Sequence, residues 1–215
     1  MKLHAKWDIF RYSSLIFEFV ESKIEKERYL IMEAKGTAIK SILEFVKSKH
    51  ADKLDDWLKL LPESSKVYME NPIFATEWYP VHEALIIPTR QLAFLYFNDL
   101  RKAAWQAGRF SADITLTGIY KVFIKITTPS YIIERASKIF QTFYRPSEIN
   151  VIEKSNKGVR VRISQIPKKD SVIEFRIAGW IERALEINNC KNVKVNILKA
   201  LSRGDSSTDI DITWD

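Results

Sequence analysis

The feature that most constrains this chain is a set of strict alternations in its carboxy-terminal third. Val159, Val161 and Ile163 interleave with Arg160, Arg162 and Ser164; Val193, Val195 and Ile197 with Lys194 and Asn196; Ile210, Ile212 and Trp214 with Asp211 and Thr213. A period of two sends every apolar side chain to one face of an extended segment, so each reads as a strand with one face in a core and the other in water. Residues 149–155 precede the first of these across Asn156-Lys157-Gly158, a turn rich in residues that tolerate positive φ, and these two strands are expected to pair as a hairpin. Residues 175–187 then place Ile177, Trp180, Ile181, Ala184 and Leu185 at helical spacing. The order strand, strand, helix, strand, strand defines an α+β chain, with several helices packed on a four-stranded antiparallel sheet and a helical amino-terminal half.

Upstream, the period lengthens. Pro129 opens a segment in which Ile132, Ile133, Ala136, Ile139, Phe140 and Phe143 form an amphipathic stripe, with proline where a first helical turn accepts it. Ile39, Ile42, Leu43 and Val46 predict a helix over 37–49. Leu54, Trp57, Leu58 and Leu61 predict a second one stopped by Pro62, and the two are read as a hairpin. Residues 62–80 carry Pro62, Pro72 and Pro80 and are expected to be irregular, with at most one helical turn. Ala84, Leu85, Pro88, Leu92 and Leu95 line a helix starting near Val81 that Pro88 would kink, and residues 100–110 supply another. Residues 119–126 satisfy a strand and an apolar helix equally, as do residues 15–24. The organisation expected is an amino-terminal arm, 1–35, and a single domain, 36–215.

With 46% hydrophobic and 28% charged residues in 215, the chain has enough apolar surface to offset its ordering entropy. No apolar stretch approaches the roughly 20 residues that span a bilayer, and Lys2, Lys6 and Asp8 break any signal-type block, so a cytoplasmic protein is expected. A single cysteine, Cys190, cannot close an internal disulfide, which suits a reducing compartment. The net charge of +7 gathers visibly only between residues 152 and 176, where Lys154, Lys157, Arg160, Arg162, Lys168, Lys169 and Arg176 face Glu153, Asp170 and Glu174. This is read as the solvated face of a strand pair and its turn, and nucleic acid is not an expected partner.

Chemistry is sparse. The six glycines stand singly at 36, 108, 118, 158, 179 and 204, so no phosphate-cradling loop or nucleophile elbow is present. Three histidines, His4, His50 and His82, and one cysteine show no metal-ligand spacing, and no metal is expected. Any active site would have to be assembled from scattered residues. One central stretch collects Trp78, Tyr79, Phe94, Tyr96, Phe97, Trp105, Phe110, Tyr120 and Phe123, which either line an apolar pocket or fill an ordinary core. Arg109 and Arg145 are the cations nearest these segments in sequence and the choices for an acidic head group. The candidate ligand-binding set is Trp78, Tyr79, His82, Trp105, Arg109, Phe110, Tyr120, Tyr144 and Arg145.

Several short motifs together resemble a known group. Gly118-Ile119-Tyr120-Lys121, Pro129, Phe143-Tyr144, Val159-Arg160-Val161, Gly179-Trp180-Ile181-Glu182, Asn192-Val193-Lys194-Val195 and Gly204-Asp205 before Ile210-Asp211-Ile212-Thr213-Trp214 resemble an uncharacterised bacterial family. That family is similar to the H-NOX (haem-nitric-oxide-binding), vinyl-reductase-like and TRAPP-subunit ligand-binding domains. Lys35-Gly36-Thr37 and Trp78-Tyr79-Pro80 extend the likeness towards the amino terminus. It implies helices on a four-stranded antiparallel sheet with a ligand cavity or a partner surface between them, and no particular reaction. Relatives often carry a cysteine shortly after the Gly-Asp pair, where this chain has Ser206, Ser207 and Thr208. Haem would need an axial histidine, and His82 is the one beside an apolar helix. The Tyr-x-Ser-x-Arg motif that holds haem propionates in relatives is replaced by Tyr144-Arg145-Pro146-Ser147, with the residue types in another order. No cofactor, haem included, is therefore expected. The reading is a non-catalytic sensor or carrier for an apolar small molecule or lipid, with a homodimer or protein-assembly module as the alternative.

Overall fold

In a computed structural model of the chain, described over residues 31–117, 129–167 and 169–215, a short strand β1 (Glu33–Lys35) is followed by α1 (Gly36–Lys49), α2 (Leu54–Leu60) and α3 (Glu63–Glu70). After β2 (Trp78–Pro80) come α4 (Ile87–Leu92), α5 (Leu100–Thr117), α6 (Pro129–Phe143) and β3 (Tyr144–Arg145). Next are β4 (Glu148–Ser155), β5 (Gly158–Ser164), α7 (Ser171–Ile187), β6 (Lys194–Lys199) and β7 (Thr208–Thr213). The last four strands form an antiparallel sheet in spatial order β4-β5-β7-β6, so the two hairpins join through β5 and β7, and α7 carries the chain from one to the other.

The sheet obeys the alternation. Val159, Val161 and Ile163 of β5 and Ile210 and Ile212 of β7 are buried on the inner face, where each contributes on the order of 1.5–3 kcal/mol. On the outer face Arg160 sits opposite Asp211 and Arg162 opposite Asp209 in the β5–β7 register. Arg160 Nη2 donates to Asp211 at 3.0 Å, and Arg162 reaches Asp209 in a fork at 2.8 and 2.7 Å. Directly opposed charges of opposite sign are the sheet counterpart of a helical ion pair. The Arg162 fork and the Ser207 hydroxyl hold the Asp209 carboxyl down at about 2.

α7 begins where Asp170 caps it, accepting from the Val172 N–H at 2.9 Å, so the helix starts four residues before the apolar stripe read at 175–187. α6 runs from Pro129 to Phe143 as its stripe predicts. Elsewhere the chain departs from expectation. α5 continues to Thr117, well beyond residue 110, because Ala112 and Leu116 keep the buried period going. Residues 62–80 contain α3, two turns long: Pro62 precedes it with extended backbone, and Ser65 and Met69 bury one side. α2 anchors away from the expected hairpin, with buried Trp57 donating to the Pro88 carbonyl at 3.1 Å. The helix expected from Val81 to Leu95 is continuous but irregular: α4 is flanked by wide π turns at His82–Ile86 and Ala93–Phe97. Pro88 brings no N–H to the helical ladder, and a π turn is one way the backbone accommodates that. The small sheet β2-β1-β3 has no alternation to announce it, since each member has two or three residues. Residues 1–30 and 119–126, both ambiguous by period, lie outside the described residues. Among the described residues, no helix is long and apolar enough to cross a membrane.

Candidate functional site

α5 and α7 cross where each offers a glycine. A Cβ on Gly108 would run into the Arg176 carbonyl, and one on Gly179 into the Trp105 carbonyl, so only glycine allows the two backbones this close. The crossing divides the pair into two sides. On one, Arg109 is chelated by Glu186 at 3.0 and 2.7 Å and also donates to Glu182. Arg183 bridges Glu186 at 3.0 Å and Asp113 at 2.7 Å. The hydrogen bonds Arg109 donates to Glu186 chiefly push the Arg109 pKa up and pull the Glu186 carboxyl down.

On the other side lies a cavity of about 70 Å³ between the helices and the sheet. α5 supplies Gly108, Ser111 and Thr115; α6 supplies Ile133, Phe140 and Phe143; β4 and β5 supply Ile149 and Val161; α7 supplies Arg176, Ile177, Trp180 and Ile181; Ala38 and Tyr144 complete the wall. Tyr144 stacks on Phe140 with ring centres 4.8 Å apart. Trp180 Nε1 donates to Thr115 Oγ1 at 3.3 Å, which removes two polar groups from the wall. The volume is about half that of an engineered cavity of roughly 150 Å³ that takes benzene, so at this size it admits the end of a ligand.

Arg176 is the exception in this wall. It is 3% exposed, Nη2 donates to Ser41 Oγ at 3.1 Å, the Tyr144 phenol lies beside the guanidinium, and Nε and Nη1 make no well-formed hydrogen bond. Among the described residues no carboxylate pairs with it; Glu174, two residues earlier in α7, is held by Ser202 and Thr208. Burial pushes the guanidinium pKa down, with the Tyr144 phenol opposing, and burial pushes the Tyr144 phenol up, with Arg176 opposing. A guanidinium starts so high that it stays charged regardless.

Of the candidate set, Tyr144 lines the cavity. Trp105 donates to Glu182 at 2.8 Å on the opposite side of the crossing, Arg109 is chelated there, and Phe110 packs on Phe45 with ring centres 5.2 Å apart. Trp78 lies between Lys35 and Arg145, each about 4 Å from its ring, and Arg145 is paired with Glu33. Tyr79 accepts from the Phe74 N–H at 2.9 Å. His82 is half-buried at the start of a π turn, its Nδ1 unpartnered. Tyr120 lies outside the described residues. Among the described residues no group of three His, Cys, Asp or Glu is placed to hold a metal ion.

Arg176 is the residue that sequence reasoning missed, having counted it into the solvated basic run. The signal was there. Ile173, Ile177, Trp180 and Ala184 surround it on a helical wheel, so it sits on the buried stripe of α7.

The class of protein these features define is a helix-covered antiparallel sheet with an apolar cavity bearing one buried cation. Solved structures it superposes on include H-NOX domains. An H-NOX protein from S. oneidensis in the Fe(II)NO ligation state matches with TM-score 0.66 at 13% identity, over 84% of this chain and 99% of that one. The Fe(II) unliganded H-NOX protein from K. algicida matches with TM-score 0.64 at 11% identity, over 84% and 96%. An oxygen-binding H-NOX domain related to soluble guanylate cyclases matches with TM-score 0.61 at 11% identity, over 84% and 95%. No family model and no curated protein matches the sequence. The fold is thus the H-NOX fold, as the resemblance in the sequence implies. The expectation that no cofactor, haem included, is bound is corrected by these neighbours, which are described as Fe(II), NO-ligated, oxygen-binding and, in a further case, heme-distorting proteins. That expectation rested on a missing linear motif, and a fold shared at 11–13% identity keeps its backbone while its motifs drift.

Proposed function

We propose that this chain is a ligand-binding sensor or carrier domain, with no catalytic chemistry of its own, that takes an apolar or amphipathic small molecule into the cavity between α5, α6, α7 and the sheet. The observation that carries the reading is the apolar wall of this cavity. A concave, mostly apolar site with one or two polar groups is how small-molecule sites are commonly built.

Haem is a first candidate occupant. The unpartnered Arg176 nitrogens suit a propionate, the aromatic and aliphatic wall suits a porphyrin face, and the Tyr144 phenol is a wall oxygen able to ligate iron. Bound haem would supply an iron centre for a diatomic gas. His50 stacks on Tyr96 and neither it nor His82 lines the wall. A porphyrin also exceeds this cavity of about 70 Å³, so its entry requires the wall to widen.

The test is the chain purified without denaturation, read by visible absorption and native mass spectrometry. A Soret band or a retained ligand mass is the expected outcome. A chain that arrives empty and responds in a thermal shift to neither haemin nor 1-octanol sinks the reading. A homodimer or protein partner is the second reading, carried by the exposed rings of Phe74 and Phe94, 64% and 73% accessible. Light scattering that finds a strict monomer at all concentrations removes the homodimer.

A further inference from the structure

We infer that Arg176 is a carboxylate anchor: the molecule that enters the cavity carries one carboxylate on an apolar body and sets it against Nε and Nη1. The inference rests on the ligand-binding reading and narrows it to a chemical class.

A guanidinium removed from water without an anion is among the most costly arrangements in a protein interior, and replacing such a group by an apolar one of similar volume is often stabilising. Arg176 has only neutral oxygens beside it, Ser41 Oγ at 3.1 Å and the Tyr144 phenol. Nε and Nη1 make no well-formed hydrogen bond, and within this apolar wall no carboxylate of the described residues meets them. Arg90, Arg109, Arg145, Arg160, Arg162 and Arg183 each hold a carboxylate. Arg176 does not, and it is the buried one that faces the cavity.

The geometry holding Arg176 there is specific. Its own carbonyl is the atom against which Gly108 packs, so the α5–α7 crossing pins the backbone and directs the side chain inward. The ligand charge follows from the same inventory. One cation and one phenol balance a single negative charge, whereas a phosphate dianion would enter with charge uncompensated. Carboxylate on an apolar body is common to an acyl-chain acid and to the propionate edge of haem.

The full chain is titrated calorimetrically with sodium octanoate, with 1-octanol and with haemin, sodium chloride at equal ionic strength serving as the control. Octanoate is expected to bind about tenfold or more tightly than 1-octanol, the increment of a charged hydrogen bond made in a dry site. Arg176→Met is expected to erase that preference while leaving 1-octanol within about threefold, and Arg176→Lys to keep most of it. Without ligand, Arg176→Met is expected to melt several degrees higher, since it removes an unpaired buried charge. A Soret band that octanoate displaces identifies the propionate source; octanoate binding with no haemin uptake identifies the acyl acid.

Octanoate no tighter than 1-octanol, or unchanged octanoate binding in Arg176→Met, overturns the anchor. So does a lower melting temperature for Arg176→Met, which would give the guanidinium a structural role. If 1-octanol binds but no carboxylate preference appears, the anchor fails and the ligand-binding reading stands. If none of the three probes binds, both fail.

Discussion

Arg109 and Arg176 lie on opposite sides of one helix crossing and differ in almost every physical respect. Arg109 sits among Glu182, Glu186 and Arg183, a quarter exposed, and its charge is matched by carboxylates that raise its pKa. Arg176 is buried in an apolar wall with only the Ser41 hydroxyl and the Tyr144 phenol beside it, and burial lowers its pKa. The first arrangement is what a chain does to join two helices. The second has no folding rationale of its own, which is why it points to a ligand.

The largest effect should come from removing the crossing itself. Gly179→Val places a branched side chain against the Trp105 carbonyl and is expected to cost more than about 4 kcal/mol, read as a loss of cooperative unfolding in urea. If the variant unfolds like the parent, the two sides are not held by this contact and the comparison collapses. Next in size, Arg176→Met without ligand should gain about 1–3 kcal/mol in the same denaturation experiment.

The Arg162–Asp209 fork on the sheet offers an intermediate case, an exposed guanidinium on a buried carboxylate. The folded pKa of Asp209, about 2, lies below its ordinary value of 3.8, so its contribution is fully present above about pH 4 and is lost as pH falls through about 2. Allowing for screening around the exposed guanidinium, the contribution is on the order of 1–2 kcal/mol. Asp209→Asn should flatten stability between pH 4 and 2 relative to the parent; an unchanged profile would show the fork contributes nothing. Smallest, Arg109→Met should lose about 0.5–1 kcal/mol, because partly exposed pairs are screened and Arg183 still holds Glu186. A gain in stability there, of the sign expected for Arg176→Met, would remove the distinction between the two sites.

Much of this was visible before any coordinates. Alternation at Val159–Ile163 and Ile210–Trp214 is a local property, decided residue by residue, so the strands, their hairpin and the α+β order could be read directly. The α6 stripe was equally plain. α3 was hidden because its burial rests on Ser65 and Met69, too few apolar residues to show a period, and the β2-β1-β3 sheet because two- and three-residue strands have none. The site was harder. Aromatic density pointed to Trp105 and Phe110, yet ring content does not distinguish a cavity wall from a filled core.

What the sequence determined by itself is therefore periodicity: which face of each strand and helix is apolar, and so which layers must pack. Charge alone misled: Arg176 is counted by sequence into the solvated basic run, although it falls on the buried stripe of α7. What only the tertiary structure decided is which charges find partners. Arg109 and Arg176 are indistinguishable as letters on helices, and their fates diverge because carboxylates arrive on one side of the Gly108–Gly179 crossing and, among the described residues, none pairs on the other. Pairing is a property of distances between elements far apart in sequence, and no local pattern encodes it.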